Sequence, residues 1–158
     1  EESLIGFLLS PFFLNISTRI KKSKKVYFFD NAIVWALSGF KGRELIKVGG
    51  EEGHYFENLV ITDFIKWGVN LETPPSFHFW EKSPASEIDL VISTRGMTIP
   101  VEIKYSSSWD KRYLHAIDMF KGKHANKGIK IPFSLIIYNG DFICPREDIY
   151  CLPVWALC

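Results

Sequence analysis

A chain of 158 residues with 47% hydrophobic and 15% aromatic content carries enough apolar surface for one sizeable core, and its length fits a single domain with a small appendage. The formal net charge of +1 excludes a uniformly basic, histone-like surface, but the charge is unevenly spread: residues 1–50 hold eight Lys/Arg against four Asp/Glu, residues 51–100 three against eight, and the remainder eight against six. Cys144, Cys151 and Cys158 form neither a CxxC pair nor a Cys/His zinc spacing, so reduced, mostly buried thiols in a cytoplasmic setting are expected. The longest apolar run, Leu4 to Leu14, contains Pro11 and falls far short of the roughly 20 residues needed to span a bilayer. No membrane segment and no secretory leader are expected.

In chain order, Lys21, Lys22, Lys24 and Lys25 read as a solvated loop ahead of an apolar strand, Val26 to Phe29. Asp30 then caps a helix from Asn31 to about Leu37, which Gly39 and Gly42 end. Glycines 49, 50 and 53 make a joint before an amphipathic helix from about Tyr55 to Trp67, with Phe56, Val60, Phe64 and Trp67 at helical spacing and Gly68 as its stop. After Pro74 and Pro75 come three strand-like runs, Phe77 to Trp80, Glu87 to Ser93 and Ile99 to Tyr105, that read as a meander. A helix from Tyr113 to about Ala125 and a strand from Phe133 to Tyr138 follow, and the apolar ending, Ile149 to Leu157, is ambiguous. Strands, then a crossover helix, then a strand predict a mixed sheet flanked by helices.

The chemistry lies in the second and third of those strands. A turn at Arg95-Gly96, where glycine supplies positive φ, makes facing positions sum to 191, so Asp89 opposes Glu102 and Glu87 opposes Lys104. Alternation predicts one apolar face (Ile88, Leu90, Ile92, Ile99, Val101, Ile103) and one face carrying Glu87, Asp89, Glu102 and Lys104. Like charges opposed across a ladder destabilise it unless something compensates. A divalent cation held by hard oxygen ligands does so, with Lys104 adding positive charge. Glu57, one and two turns from Ile61 and Phe64, sits beside its helix's apolar stripe and is expected to point into the same cleft. Pro100, which lacks an N–H, is the weak point of this register.

Asp89 followed by Glu102-Ile103-Lys104 resembles the motif of the PD-(D/E)XK, restriction-endonuclease-like superfamily. A narrower resemblance is to the nuclease-like domain of unknown function that follows P-loop ATPase modules in many archaeal and bacterial chains. Lys25-Val-Tyr-Phe-Phe-Asp30-Asn31, Phe56-Glu57-Asn58-Leu59-Val60, Phe79-Trp80, Glu87-Ile88-Asp89 and Val101-Glu102-Ile103-Lys104 carry it. The resemblance implies a restriction-endonuclease-like α/β core over residues 49–158, with residues 1–48 as an N-terminal strand–helix segment packed on it. It also implies Mg2+ (or Mn2+) bound by Asp89 and Glu102, completed by Glu57, with Lys104 assisting the attacking water. No G-x-x-x-x-G-K-[ST] occurs in the chain, so an ATPase domain is expected upstream, outside these residues.

Ordinary readings stand beside these. A solvated sheet face with Glu87 paired to Lys104 explains part of the acidic cluster, but leaves Asp89 and Glu102 opposed. The lysines at 21–25 and at 121, 123, 127 and 130 read as solvated loops rather than phosphate tracks, His115 and His124 as structural or solvent-facing, and Trp35, Trp67, Trp80 and Trp155 as core. Two functions follow as expectations. One is Mg2+-dependent hydrolysis of DNA phosphodiesters by a metal-dependent endonuclease; the alternative is an inactive nuclease-fold module that binds DNA or protein beside its ATPase.

Overall fold

The computed structural model describes residues 5–13, 23–39, 50–83 and 86–157. In chain order the elements are β1 (Gly6–Pro11), β2 (Lys25–Phe28), α1 (Asn31–Ser38), α2 (Glu52–Val69), β3 (Ser76–Ser83), β4 (Ser86–Thr94), β5 (Met97–Lys104), α3 (Leu114–His124), β6 (Ser134–Tyr138), β7 (Ile143–Arg146) and β8 (Ile149–Pro153). Single 3-10 turns lie at Lys111–Tyr113 and Val154–Leu157. The strands form one eight-stranded sheet in the order β2-β1-β3-β4-β5-β6-β8-β7. The centre is the expected antiparallel meander β3-β4-β5. After it, α3 crosses over so that β6 runs parallel to β5. The N-terminal segment joins this sheet directly, β1 parallel to β3 and β2 antiparallel to β1.

The fold is therefore mixed α/β, with helices on both sheet faces. On one face α2 buries Phe56, Val60 and Ile61 against Leu90, Ile92, Val101 and Ile103. On the other, Ile117 and Phe120 of α3 pack on Trp80, Ile88, Val91 and Ile136. Each such fully buried side chain stabilises by roughly 1.5–3 kcal/mol relative to exposure.

Local chemistry explains most element ends. Asp30 Oδ1 accepts from the Ala32 N–H at 2.7 Å and caps α1, which Gly39 closes at φ 70°. Arg95 and Gly96 have φ of 47° and 76°, the paired left-handed residues that a two-residue I′ turn needs. Pro100 is tolerated in a central strand because its nitrogen points where no ladder has formed. Thr98 N–H reaches Lys130 O on that side, and β6 pairing begins only at Val101↔Leu135.

Several expectations are corrected. Gly68 does not stop its helix: α2 runs from Glu52 to Val69, and a Cβ at 68 would lie 2.5 Å from the Phe77 ring, so the glycine admits a close approach. Trp67 is exposed rather than core, because the α2 stripe turns inward through Ile61 instead, and Trp155 of the Val154–Leu157 turn is exposed as well. Cys151 is buried but Cys144 is exposed. Lys25 belongs to strand β2, not to a solvated loop. Gly42, Gly49 and Lys21 and Lys22 lie outside the described residues. Among the described residues no helix is long and apolar enough to cross a membrane.

Candidate functional site

The hairpin register is the one that the turn dictates. Pairs run from Thr94↔Met97 to Leu90↔Val101, and beyond them the two strands part. β4 stays with β3 through Trp80↔Ile88 and Glu81↔Glu87, while β5 turns to β6 through Glu102↔Ile136 and Lys104↔Tyr138. Asp89 stands at this fork. Its Oδ2 accepts the Ile103 N–H at 2.7 Å, bridging the two strands where the ladder stops. The β3–β4 register also shifts here, with His78↔Val91 followed by Trp80↔Ile88, so Phe79 faces both Asp89 and Leu90. Such a bulge re-aims side chains.

The bulge corrects the expected division into one apolar and one acidic face. Alternation breaks between Ile88, which packs toward α3, and Leu90, which packs toward α2. Both faces are covered, and the acids are carried inside rather than on a solvated surface. Asp89 and Glu102 are 9% and 5% exposed.

The pairing of charges also differs from the simple opposed register. Lys104 Nζ lies 2.6 Å from Glu102 Oε1 and 3.9 Å from Asp89 Oδ2, so one ammonium spans both carboxylates. Glu87 turns instead to Lys25 of β2. Lys25 Nζ also stands 3.5 Å from Glu57 Oε1, the same oxygen that accepts from the Tyr27 hydroxyl at 2.5 Å. Glu57 thus reaches the cleft from α2, and with Lys25, Tyr27, Glu87 and Asp89 it lines a cavity of about 590 Å³. Glu102 and Lys104 lie outside that lining.

Electrostatics follow from burial. Burial, and then Glu102 beside it, push Asp89 well above the usual carboxylate range, against the pull of Lys104. Burial likewise raises Glu102, with Lys104 opposing and Glu87 and Glu57 adding to the rise. Burial alone would lower Lys25, but Glu57 and Glu87 outweigh it and hold the ammonium charged. Lys104 is kept charged in the same way by Asp89 and Glu102.

The donor set suits a hard divalent cation in chemistry: carboxylates gathered from two strands and a helix, with Glu102 Oε2 buried and lacking any hydrogen-bond partner. Among the described residues no group of three or more His, Cys, Asp or Glu side chains is already drawn around a common point. The two lysines stand between them.

Lys25 and Tyr27 are site residues that the motif alone did not single out, and Glu87, expected on the acidic face opposite Lys104, meets Lys25 instead. Their signal was period-2 alternation: Lys25 and Tyr27 share one side of β2, as Glu87 and Asp89 would in a regular β4. Asn58 supplies the reason that β2 sits at this register. It accepts from Phe28 N–H at 2.9 Å and donates to Phe28 O at 2.9 Å and Asn31 Oδ1 at 2.7 Å. Thr62 adds a bond to Phe28 O at 3.1 Å. Their burial on α2 is balanced by strand backbone that would otherwise lack partners. Of the basic run near the end of α3, Lys121 pairs with Asp148 at 2.6 Å and Lys123 lies over Trp80. His124 is buried, with Nδ1 2.8 Å from Phe120 O, while His115 is exposed.

A mixed sheet covered on both faces, with carboxylates and lysines collected where two central strands diverge, defines an α/β domain with one composite polar site. The chain belongs to the DUF4143 family, a domain of unknown function, which matches residues 52–157. Two uncharacterized proteins, one from Mycobacterium bovis and one from Mycobacterium tuberculosis, are each 26% identical to it over 107 residues, covering 68% of this chain and 23% of theirs. The chain thus spans about a quarter of the length of those relatives. No solved structure matches it.

Proposed function

We propose that this is a nuclease-type site that hydrolyses DNA phosphodiesters with Mg2+ or Mn2+, on a restriction-endonuclease-like core. The observation that carries the reading is the buried Asp89 and Glu102 pair spanned by one ammonium, with Glu102 Oε2 left without a partner. Two buried acids whose charged forms are disfavoured are costly to keep without a cation to satisfy them. Asp89 and Glu102 would hold the ion, with Glu57 as the third donor. When bound, such an ion supplies Lewis acidity toward a phosphoryl oxygen and makes water more acidic. Lys104 would donate to a phosphoryl oxygen or orient the water. Asp89's bond to Ile103 N–H fixes its carboxylate against the strand fork, so that its second oxygen would be the one to meet the ion.

The test is cleavage of linear and single-stranded DNA with Mg2+, Mn2+ or EDTA, together with Mn2+ calorimetry. Glu102→Gln and Asp89→Asn are expected to abolish cleavage and metal binding, while Lys104→Ala keeps the metal and loses at least tenfold in rate. Metal-independent or absent cleavage by the wild-type protein, joined to an upstream P-loop ATPase, sinks the enzyme reading. A second reading, a non-cutting nuclease-fold module that binds DNA or protein beside that ATPase, is favoured by Lys25 and Lys104 already neutralising the acids.

A further inference from the structure

Lys25 is the part of the site that the hydrolytic reading leaves without a task. It comes from β2, outside the family-matched residues 52–157, yet its ammonium stands between Glu57 and Glu87, acids of two other elements. It is not a chance surface pair. Its Nζ lies over the Phe79 ring, 5.3 Å from the centroid. The strand that carries it is held in register by the Asn58 bonds to Phe28. Tyr27, two residues on, fixes the Glu57 oxygen that Lys25 shares.

We propose that Lys25 is a built-in counter-cation whose ammonium, shared between Glu57 and Glu87, must leave Glu57 when a divalent ion binds to Asp89, Glu102 and Glu57. The proposal deepens the metal-site reading and rests on it. Physically, an ammonium and a divalent ion a few ångströms apart in a partly buried site repel each other strongly. The long lysine stem gives the ammonium somewhere to go. Its side chain is 31% exposed, so the ammonium can swing toward the open cavity. Tyr27 then keeps Glu57 in place for the incoming ion. Lys25 is on this account a positioning residue: it keeps the acids apart and satisfied when no ion is present, and sets how tightly an ion is held.

The experiment is a Mn2+ titration of the wild-type protein, Lys25→Met and Lys25→Arg, paired with acetylation of wild-type lysines read by mass spectrometry with and without Mn2+. Lys25→Met keeps an unbranched side chain and removes only the charge, and circular dichroism checks its fold. The expected result is Mn2+ binding at least tenfold tighter in Lys25→Met than in wild type, near-wild-type affinity in Lys25→Arg, and Lys25 acetylation that rises on Mn2+ addition. Binding seen only in Lys25→Met supports the inference equally, since it means that the ammonium outcompetes the ion. Wild type and Lys25→Met binding with equal affinity, or Lys25 acetylation unchanged at Mn2+ saturation, overturns the inference and leaves the metal site standing. If neither protein binds Mn2+, both the inference and the metal-site reading fall. The labelling arm needs no variant, so a misfolded Lys25→Met does not shield the proposal.

Discussion

Asp89 is buried beside Glu102, and both influences raise its pKa in the folded state. A carboxyl group whose folded pKa lies above its unfolded value costs stability once pH exceeds the unfolded value, because the unfolded chain ionises more readily. At neutral pH, Asp89→Asn removes that cost. The amide oxygen still accepts from Ile103 N–H, and Lys104 keeps Glu102 at 2.6 Å. The variant is expected to be more stable than wild type by on the order of 1–2 kcal/mol while losing Mn2+ binding. Urea denaturation at pH 7 checks the first part; a destabilised variant would mean that Asp89 is held by its surroundings rather than merely tolerated. Asn58 is the contrasting residue. Its amide meets Phe28 N, Phe28 O and Asn31 Oδ1, and Asn58→Ala strands the Phe28 N–H and the Asn31 oxygen, while Thr62 still donates to Phe28 O. A loss of about 2–3 kcal/mol is expected, with Lys25 and Glu57 thrown out of register, so that the Lys25 acetylation rate rises even without metal.

At the scale of elements, the turn at Arg95-Gly96 sets where Asp89 meets β5. Gly96 at φ 76° has open space around an added Cβ, so Gly96→Ala is strained by backbone conformation alone and is expected to cost about 1 kcal/mol. Gly68→Ala costs more, about 1–3 kcal/mol, because the new methyl meets the Phe77 ring. Thermal melts of the two variants separate the mechanisms: replacing Phe77 by Leu rescues Gly68→Ala and leaves Gly96→Ala unchanged. This turn also shows what the sequence made legible. A two-residue turn and a register follow from one glycine, and they bring Asp89 toward Glu102 and Lys104. The bulge at Asp89-Leu90 is invisible in that argument because it depends on how β3 meets β4, a tertiary pairing with no local signature. For the same reason Lys25 looked like the end of a solvated lysine run. The side-chain clamp of Asn58 on Phe28, thirty residues apart in sequence, is what brings Lys25 into the site. β1 escaped notice too, since an apolar run broken by Pro11 reads equally as loop or edge strand, and the partner that settles it is β3.

Across the whole molecule, two titrations of opposite sign meet. The raised carboxyls of Asp89 and Glu102 make the fold relatively more stable as pH falls from neutrality, since the folded state takes up protons first. His124 works the other way. Its ring joins Phe12, Trp80 and Phe120, tying the end of β1, β3 and α3 together on the face opposite α2. Burial lowers its pKa, the Phe120 carbonyl partly offsets this, and Lys127 and Lys123 lower it further. The unfolded chain therefore takes up the histidine proton first, near pH 6.5. The stability that neutral His124 contributes is fully present above that value and is lost as pH falls through the lower, folded-state pKa. The measurement is the difference in unfolding free energy between wild type and His124→Gln, followed from pH 8 to pH 5. It is expected to be flat above about pH 6.5 and to shrink steadily below it. The wild-type curve itself falls less steeply, because the buried acids compensate. In the Asp89→Asn background that compensation is reduced, and the acid limb of the curve steepens. A wild-type to His124→Gln difference that does not change between pH 8 and pH 5 would show that the imidazole stays neutral or charged alike in both states, and would remove His124 from the acid response of the fold.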